Sequence, residues 1–156
     1  MSHYTRVTTK ITRRSALVKA LQQMGFKKHM IEVSDTAMNL KGYQGDTREG
    51  KIAHVRIKGH GWGSSQNYVG GLSNDLGFER MEDGSYAFHV SDYDVGSYND
   101  NWQKKLLKEY GRAVVGEISE EQGFFVESEE EEENGIRIRP ELGINLFCHG
   151  RFQRRR

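Results

Sequence analysis

The residues able to carry chemistry are few and scattered. Six histidines (His3, His29, His54, His60, His89, His149) and one cysteine, Cys148, are the candidates for metal or nucleophilic work. A metal site asks for ligands at a recognisable spacing, such as paired Cys or His residues, or two His four apart on a helix. None of these spacings occurs, so no metal site is expected. His54 and His89 fall in predicted strands from which they would meet across a sheet, and His60 follows the first of them. Cys148 and His149 are adjacent, and adjacent residues of a strand point to opposite faces, which argues against a thiol–imidazole pair. No catalytic residue and no cofactor is therefore assigned.

Three stretches carry binding chemistry instead. Gly59 to Gly71, GHGWGSSQNYVGG, holds five glycines and little core material. Glycine N–H groups cradle phosphate where such a loop runs into a helix N-terminus. Here no Lys-Ser/Thr pair closes the motif and no helix is signalled after Ser65. Trp62, with His60 beside it, reads as a contact residue, since loop aromatics anchor partners. The tail CHGRFQRRR groups Arg151, Arg154, Arg155 and Arg156 around Phe152, which suits phosphate contacts with a stacking ring. Lys10, Arg13, Arg14, Lys27 and Lys28 would extend that patch if the termini were neighbours. The acidic run Glu129 to Glu133 precedes Asn134-Gly135, a type I′ hairpin signal. A two-residue loop there sets Glu132 opposite Arg137 and Glu130 opposite Arg139, so the run reads as half a hairpin rather than a cation site.

The charge map favours electrostatic partners. Residues 1–60 carry a net +8, residues 61–135 a net −12 and residues 136–156 a net +5, which sum to the overall +1. Segregation on this scale implies docking between basic and acidic parts of the chain or between the chain and a charged partner. Two Trp, seven Tyr and seven Phe argue against disorder, although mean hydropathy is only −0.77. No apolar run approaches the ~20 residues of a membrane span, and no signal-peptide core follows Met1. The lone Cys148 excludes an internal disulfide framework and suits a reducing compartment. The expectation is a cytoplasmic (or organelle-interior) protein with no membrane contact.

These stretches need elements to position them. Asn101 to Phe124 is the longest periodic segment: Trp102, Leu106, Tyr110, Val114 and Ile118 recur every four residues, one apolar stripe of a helix. Asn99, Asp100 or Asn101 can cap its start and Gly123 its end. A shorter helix is predicted from Arg13 to Met24, with Leu17, Ala20, Leu21 and Met24 on one side and Gly25 ending it. Strands are predicted over His3–Ile11, Met30–Val33, Met38–Tyr43 and Lys51–Lys58. In the last of these, Ala53, Val55 and Ile57 alternate with His54, Arg56 and Lys58. Leu76–Met81 and Ser85–Val90 flank an Asp83-Gly84 turn, Phe124–Glu133 and Ile136–Arg139 form the Glu-rich hairpin, and Leu142–Phe147 adds a last short strand. Each helix runs through a Gln-x-Gly-Phe or Gln-Gly-Phe junction into a strand, an internal repeat of two β-α-β-β units. The fold class expected is α+β: a mainly antiparallel sheet with two helices on one face. Residues 1–148 form a single domain in this reading, with 59–71 as its Gly-rich loop and 149–156 as a basic C-terminal tail.

Several motifs resemble a known family. Met1-Ser2-His3-Tyr4 with Thr8–Ile11, Gly42-Tyr43-Gln44-Gly45 before the Lys51–Lys58 strand, and Leu76-Gly77-Phe78 with Tyr86 and Asp92 are similar to its blocks. So are Tyr110 and Gln122-Gly123-Phe124-Phe125-Val126. The family is the uncharacterised conserved reading frame of cyanobacteria and plastids, domain of unknown function 1257. The likeness spans roughly residues 1–140 and departs at the Gly-rich loop and after Pro140. It implies an α+β domain and assigns no activity to any residue.

The function expected is a non-catalytic binding or adaptor domain contacting a protein partner. One alternative is an RNA- or DNA-binding protein that uses its basic termini. The other is an enzyme with a site near the 59–71 loop.

Overall fold

The computed structural model describes residues 3–63, 71–123, 125–132 and 135–141. It is an α+β protein: a five-stranded antiparallel sheet, two α-helices and a separate two-stranded hairpin. The strand predicted over Leu142–Phe147 lies outside the described residues. The chain divides into two compact units. One comprises Met1–Arg14 and Gly25–Gln103, the other Ser15–Met24 and Lys104–Arg156.

The first unit contains β1 (Tyr4–Thr8), β2 (Ile31–Lys41), β3 (Thr47–Ile57), β4 (Leu76–Arg80) and β5 (Tyr86–Ser91), in the sheet order β1-β5-β4-β3-β2. The pairing register sorts the sequence into rows. Val33, Val55, Phe78, Phe88 and Val7 stand side by side across all five strands. The adjacent row is Glu32, Arg56, Gly77, His89 and Arg6. Successive residues of a strand face opposite ways, so one face of the sheet is apolar along this line and the other is charged. The apolar row builds the core: Val55, Phe78 and Phe88 are buried, with the Phe78 and Phe88 rings 5.1 Å apart. Trp102 stacks on Phe88 at 5.5 Å, with Tyr98 5.0 Å away and Phe26 6.2 Å away.

The turns follow their local chemistry. Asp83 accepts from the Ser85 N–H at 2.9 Å and Gly84 takes φ 86°, so Asp-Gly closes the β4–β5 hairpin as its sequence signals. The β2–β3 hairpin is longer than its propensities imply. Ser34 to Ala37 is poor in strand formers, so two short strands are expected there. The structure carries one strand through it, with a register irregularity between Val33 and Met38. Residues 34–37 bulge out of the ladder opposite His54, and the pairing of Ile31–Val33 and of Met38–Lys41 with β3 on either side carries the strand through them.

The second unit contains most of both helices and the hairpin. Helix α1 (Arg14–Gln23) buries Ala16, Leu17, Ala20 and Leu21, spaced one and then three to four apart on a single stripe. Helix α2 spans Asp100–Gln122. Of its three candidate caps Asn99 serves, its Oδ1 accepting the Trp102 N–H at 3.1 Å, and Gly123 closes the far end at φ 73°. Its predicted apolar stripe is only partly covered: Leu106 is buried, whereas Tyr110, Val114 and Ile118 are half-exposed.

β6 (Phe125–Glu132) pairs with β7 (Gly135–Glu141) in a hairpin of its own. Its register differs from the sequence expectation. Glu132 faces Gly135, Glu130 faces Arg137 and Ser128 faces Arg139, because the pairing closes one residue earlier, at Glu132–Gly135 rather than Glu133–Ile136. The shift leaves one Glu–Arg pair in the register, Glu130 with Arg137, where two are expected.

Candidate functional site

The densest constellation in the first unit is a corner where the β2–β3 turn meets the segment after β3. Gly42 to Gly45 turns the chain, with the Gly45 N–H donating to the Gly42 carbonyl at 3.0 Å. Beyond β3, His60–Trp62 forms one 3₁₀ turn instead of open loop. Glycine is required here for close approach. A methyl group on Gly61 would strike the Gly42 carbonyl oxygen, and one on Gly59 would lie 2.6 Å from the Asn74 carbonyl carbon.

Asp75 holds the corner together. Its side chain is fully buried, and its Oδ1 accepts from the Gly59 N–H at 2.8 Å and from the Trp62 indole N–H at 2.9 Å. Its Oδ2 accepts from the Lys41 N–H at 2.9 Å, while its own N–H donates to the Lys41 carbonyl at 3.0 Å. The Tyr4 hydroxyl donates to its carbonyl at 2.9 Å. One side chain therefore ties together β2, the end of β3, the 3₁₀ turn and, through its backbone, β1. Burial raises the Asp75 carboxyl above its ordinary value, against the N–H donors that favour the carboxylate. Burial and then the Asp75 charge likewise raise the Tyr4 phenol. These groups are spoken for by the fold.

What the corner presents is a cation-ringed indole. The Lys41 ammonium lies 3.7 Å from the Trp62 ring centroid, and the Arg56 guanidinium and Lys58 ammonium each lie 4.8 Å from it. Beside it Tyr43, 51% exposed, stacks face to face on exposed His60 with centroids 4.2 Å apart. The His60 Nδ1 is 3.2 Å from the Tyr43 carbonyl oxygen, an acceptor, which selects the Nδ1–H tautomer. Arg56 is 8% exposed, donates to the Asn39 carbonyl at 2.6 Å and pairs with Glu32 at 2.7 Å; Lys58 reaches the same carboxylate at 3.9 Å.

A second buried aspartate works in parallel. Asp94 accepts from the backbone N–H groups of Ser73 and Asn74 at 2.9 and 3.0 Å, and from the Ser91 hydroxyl at 2.8 Å. The two aspartates fix the Ser73–Asp75 segment from both sides. In the second unit, Glu117 is buried and accepts from the Ser15 hydroxyl at 3.0 Å while pairing with Lys19 at 3.1 Å. It floors a groove of about 620 Å³ with Glu109, Arg112, Gly116 and Glu120 along its walls.

Of the residues singled out in the sequence, His60 and Trp62 come together at the corner. Arg151, Phe152, Arg154, Arg155 and Arg156 lie outside the described residues, as do Cys148 and His149. His54 and His89 do not meet, because β4 runs between their strands. The His54 Nδ1 accepts the Arg80 N–H at 3.0 Å, and the His89 Nε2 lies 2.9 Å from Glu79. Among the described residues no cluster of three or more His, Cys, Asp or Glu side chains is arranged to hold a metal ion. Lys41, Tyr43, Arg56, Lys58 and Asp75 were not singled out by sequence. The local signals on offer are the Gly42-Tyr43-Gln44-Gly45 block and the short polar run Ser73-Asn74-Asp75, since the contacts themselves come from strand pairing.

The antiparallel sheet and the two helices define an α+β fold, and no described helix is long and apolar enough to cross a membrane. The family model described as "Protein of unknown function (DUF1257)" matches residues 20–138, and the chain belongs to that family. No curated protein and no solved structure matches.

Proposed function

We propose that this protein is a non-catalytic binding or adaptor domain whose contact surface is the corner formed by Lys41, Tyr43, Lys58, His60 and Trp62. The observation that carries this reading is the half-exposed Tyr43–His60 stack on a backbone clamped by Asp75 and by Gly59 and Gly61. A rigid aromatic ledge binds at low entropic cost, because its side chains are already ordered. The most buried acids nearby spend their acceptors on the chain's own N–H groups, which is the work of a scaffold. The partner in this reading is a protein, met in the cytoplasm or an organelle interior, a reducing setting that suits the single cysteine.

The test uses the tagged full chain and its Tyr43→Ala/His60→Ala variant to capture partners from a lysate of the source organism at low salt. A protein retained in stoichiometric amount by the parent and lost from the variant, with thermal midpoints matching, is the expected result. Equal retention by both chains would overturn the assignment of this surface.

A further inference from the structure

We infer that the Trp62 corner takes an acidic peptide segment of the partner, whose carboxylates are met by Lys41 and Lys58 beside the indole. The inference rests on the binding role proposed for this surface and names the chemistry of what it binds.

Three cations stand within 5 Å of one ring centroid. Like charges this close repel, and a ring quadrupole offsets only part of that repulsion. The fold answers incompletely. Glu32 serves both Arg56 and Lys58, the latter at 3.9 Å. Asp75 is fully buried, and N–H groups already occupy both of its oxygens. Among the described residues no carboxylate pairs with the Lys41 ammonium, whose one recorded partner is the indole. The Arg56 Nε–H, on a side chain more than nine-tenths buried, has no acceptor among the described residues. The adjoining segment 64–70, SSQNYVG, contains no acidic residue that could answer these charges. The corner thus presents positive charge beside an ordered aromatic surface, which is the complement of an oxyanion flanked by apolar atoms.

The distribution of charge selects a peptide carboxylate over a nucleic-acid strand. A polyanion needs a basic track along its backbone. Here exposed Asp46 and Glu49 lie on the neighbouring turn and strand, and Glu32 flanks the other side. Such a border confines attraction to a span of a few side chains. The Tyr43–His60 stack then supplies a ledge for the aliphatic stems of a peptide rather than a run of bases.

The probe is a fluorescein-labelled peptide with four consecutive glutamates, read by anisotropy against its all-glutamine counterpart and against an oligothymidylate of equal charge. The chain carries two tryptophans, so Trp102→Phe leaves Trp62 as the reporting indole. The glutamate peptide is expected to bind the parent at least about tenfold tighter than the glutamine peptide, a gap that closes with salt. Lys41→Gln/Lys58→Gln should abolish the difference. Lys104→Gln/Lys105→Gln, the same charge change on α2, should keep it. The Trp62 emission should shift on adding the glutamate peptide, a readout independent of the lysine variants. Equal binding of both peptides, equal loss in the two lysine pairs, or preference for the oligonucleotide would each overturn the inference. If the glutamate peptide fails while Tyr43→Ala/His60→Ala still releases the captured protein, the acidic-ligand inference falls and the binding surface stands; if that capture is also unchanged, both fall.

Discussion

Two regions bury an acid beneath a charged surface, and they do so in opposite ways. At the Trp62 corner, Asp75 is held by two backbone N–H groups and an indole N–H. In the groove of the second unit, Glu117 is held by a hydroxyl and by a lysine that is itself half in water. Backbone donors cannot turn away to find solvent, whereas Ser15 and Lys19 can. The corner is therefore a fixed platform and the groove an adaptable one. A surface that must present the same geometry to a partner belongs on the first kind.

Removing the two acids is the strongest way to break that comparison. Asp75→Ala strands three donors in a dry site and should cost about 3–5 kcal/mol, with a lower urea midpoint and loss of the Trp62 environment. Glu117→Ala leaves partners that can rehydrate and should cost about 1 kcal/mol. Comparable losses at the two sites would show that the corner is no more rigid than the groove.

A pH titration sharpens the comparison on the charged face of the sheet. His89 is buried, its Nδ1 has no partner among the described residues, and burial lowers it below its ordinary value in spite of the Glu79 carboxylate. Arg6, opposite it in the register, and Lys51 also oppose its protonation. The unfolded chain thus binds a proton more readily. The His89 contribution is fully present above about pH 6.5 and is lost as pH falls through the depressed folded value. Urea midpoints measured from pH 7 downward should decline less in His89→Gln than in the parent. The smallest effect is expected in the hairpin, where Glu130→Gln against Arg137 should change stability by a few tenths of a kcal/mol, more at low salt than at high.

How much of this was legible depends on whether the cause is local. Helix α2, the Asp83-Gly84 turn and the Ala53/Val55/Ile57 alternation were readable because period and turn chemistry lie within a few residues. Glu117 misleads, since its charge assigns it to the solvent side. On a helix it falls seven residues after Tyr110 and eleven after Leu106, in line with the buried stripe, and Ser15 with Lys19 makes that position tolerable. The Glu-rich hairpin was placed correctly but closes one residue early, because Asn134-Gly135 marks a turn without fixing which pair ends the ladder. At the site, Trp62 and His60 announce themselves as loop aromatics. Their companions do not: Lys41 and Lys58 meet the ring through strand pairing and through Asp75, which lies 13 residues from Trp62 and 34 from Lys41. No local pattern encodes such a meeting.

The central claim is that the clamped corner, and not the helix groove, receives the partner. Amide hydrogen exchange of the full chain, alone and with its captured partner bound, measures this directly. The account predicts added protection at 41–45 and 58–62 with exchange at 109–120 unchanged. Protection confined to 109–120, with the corner exchanging as in the free chain, would contradict it.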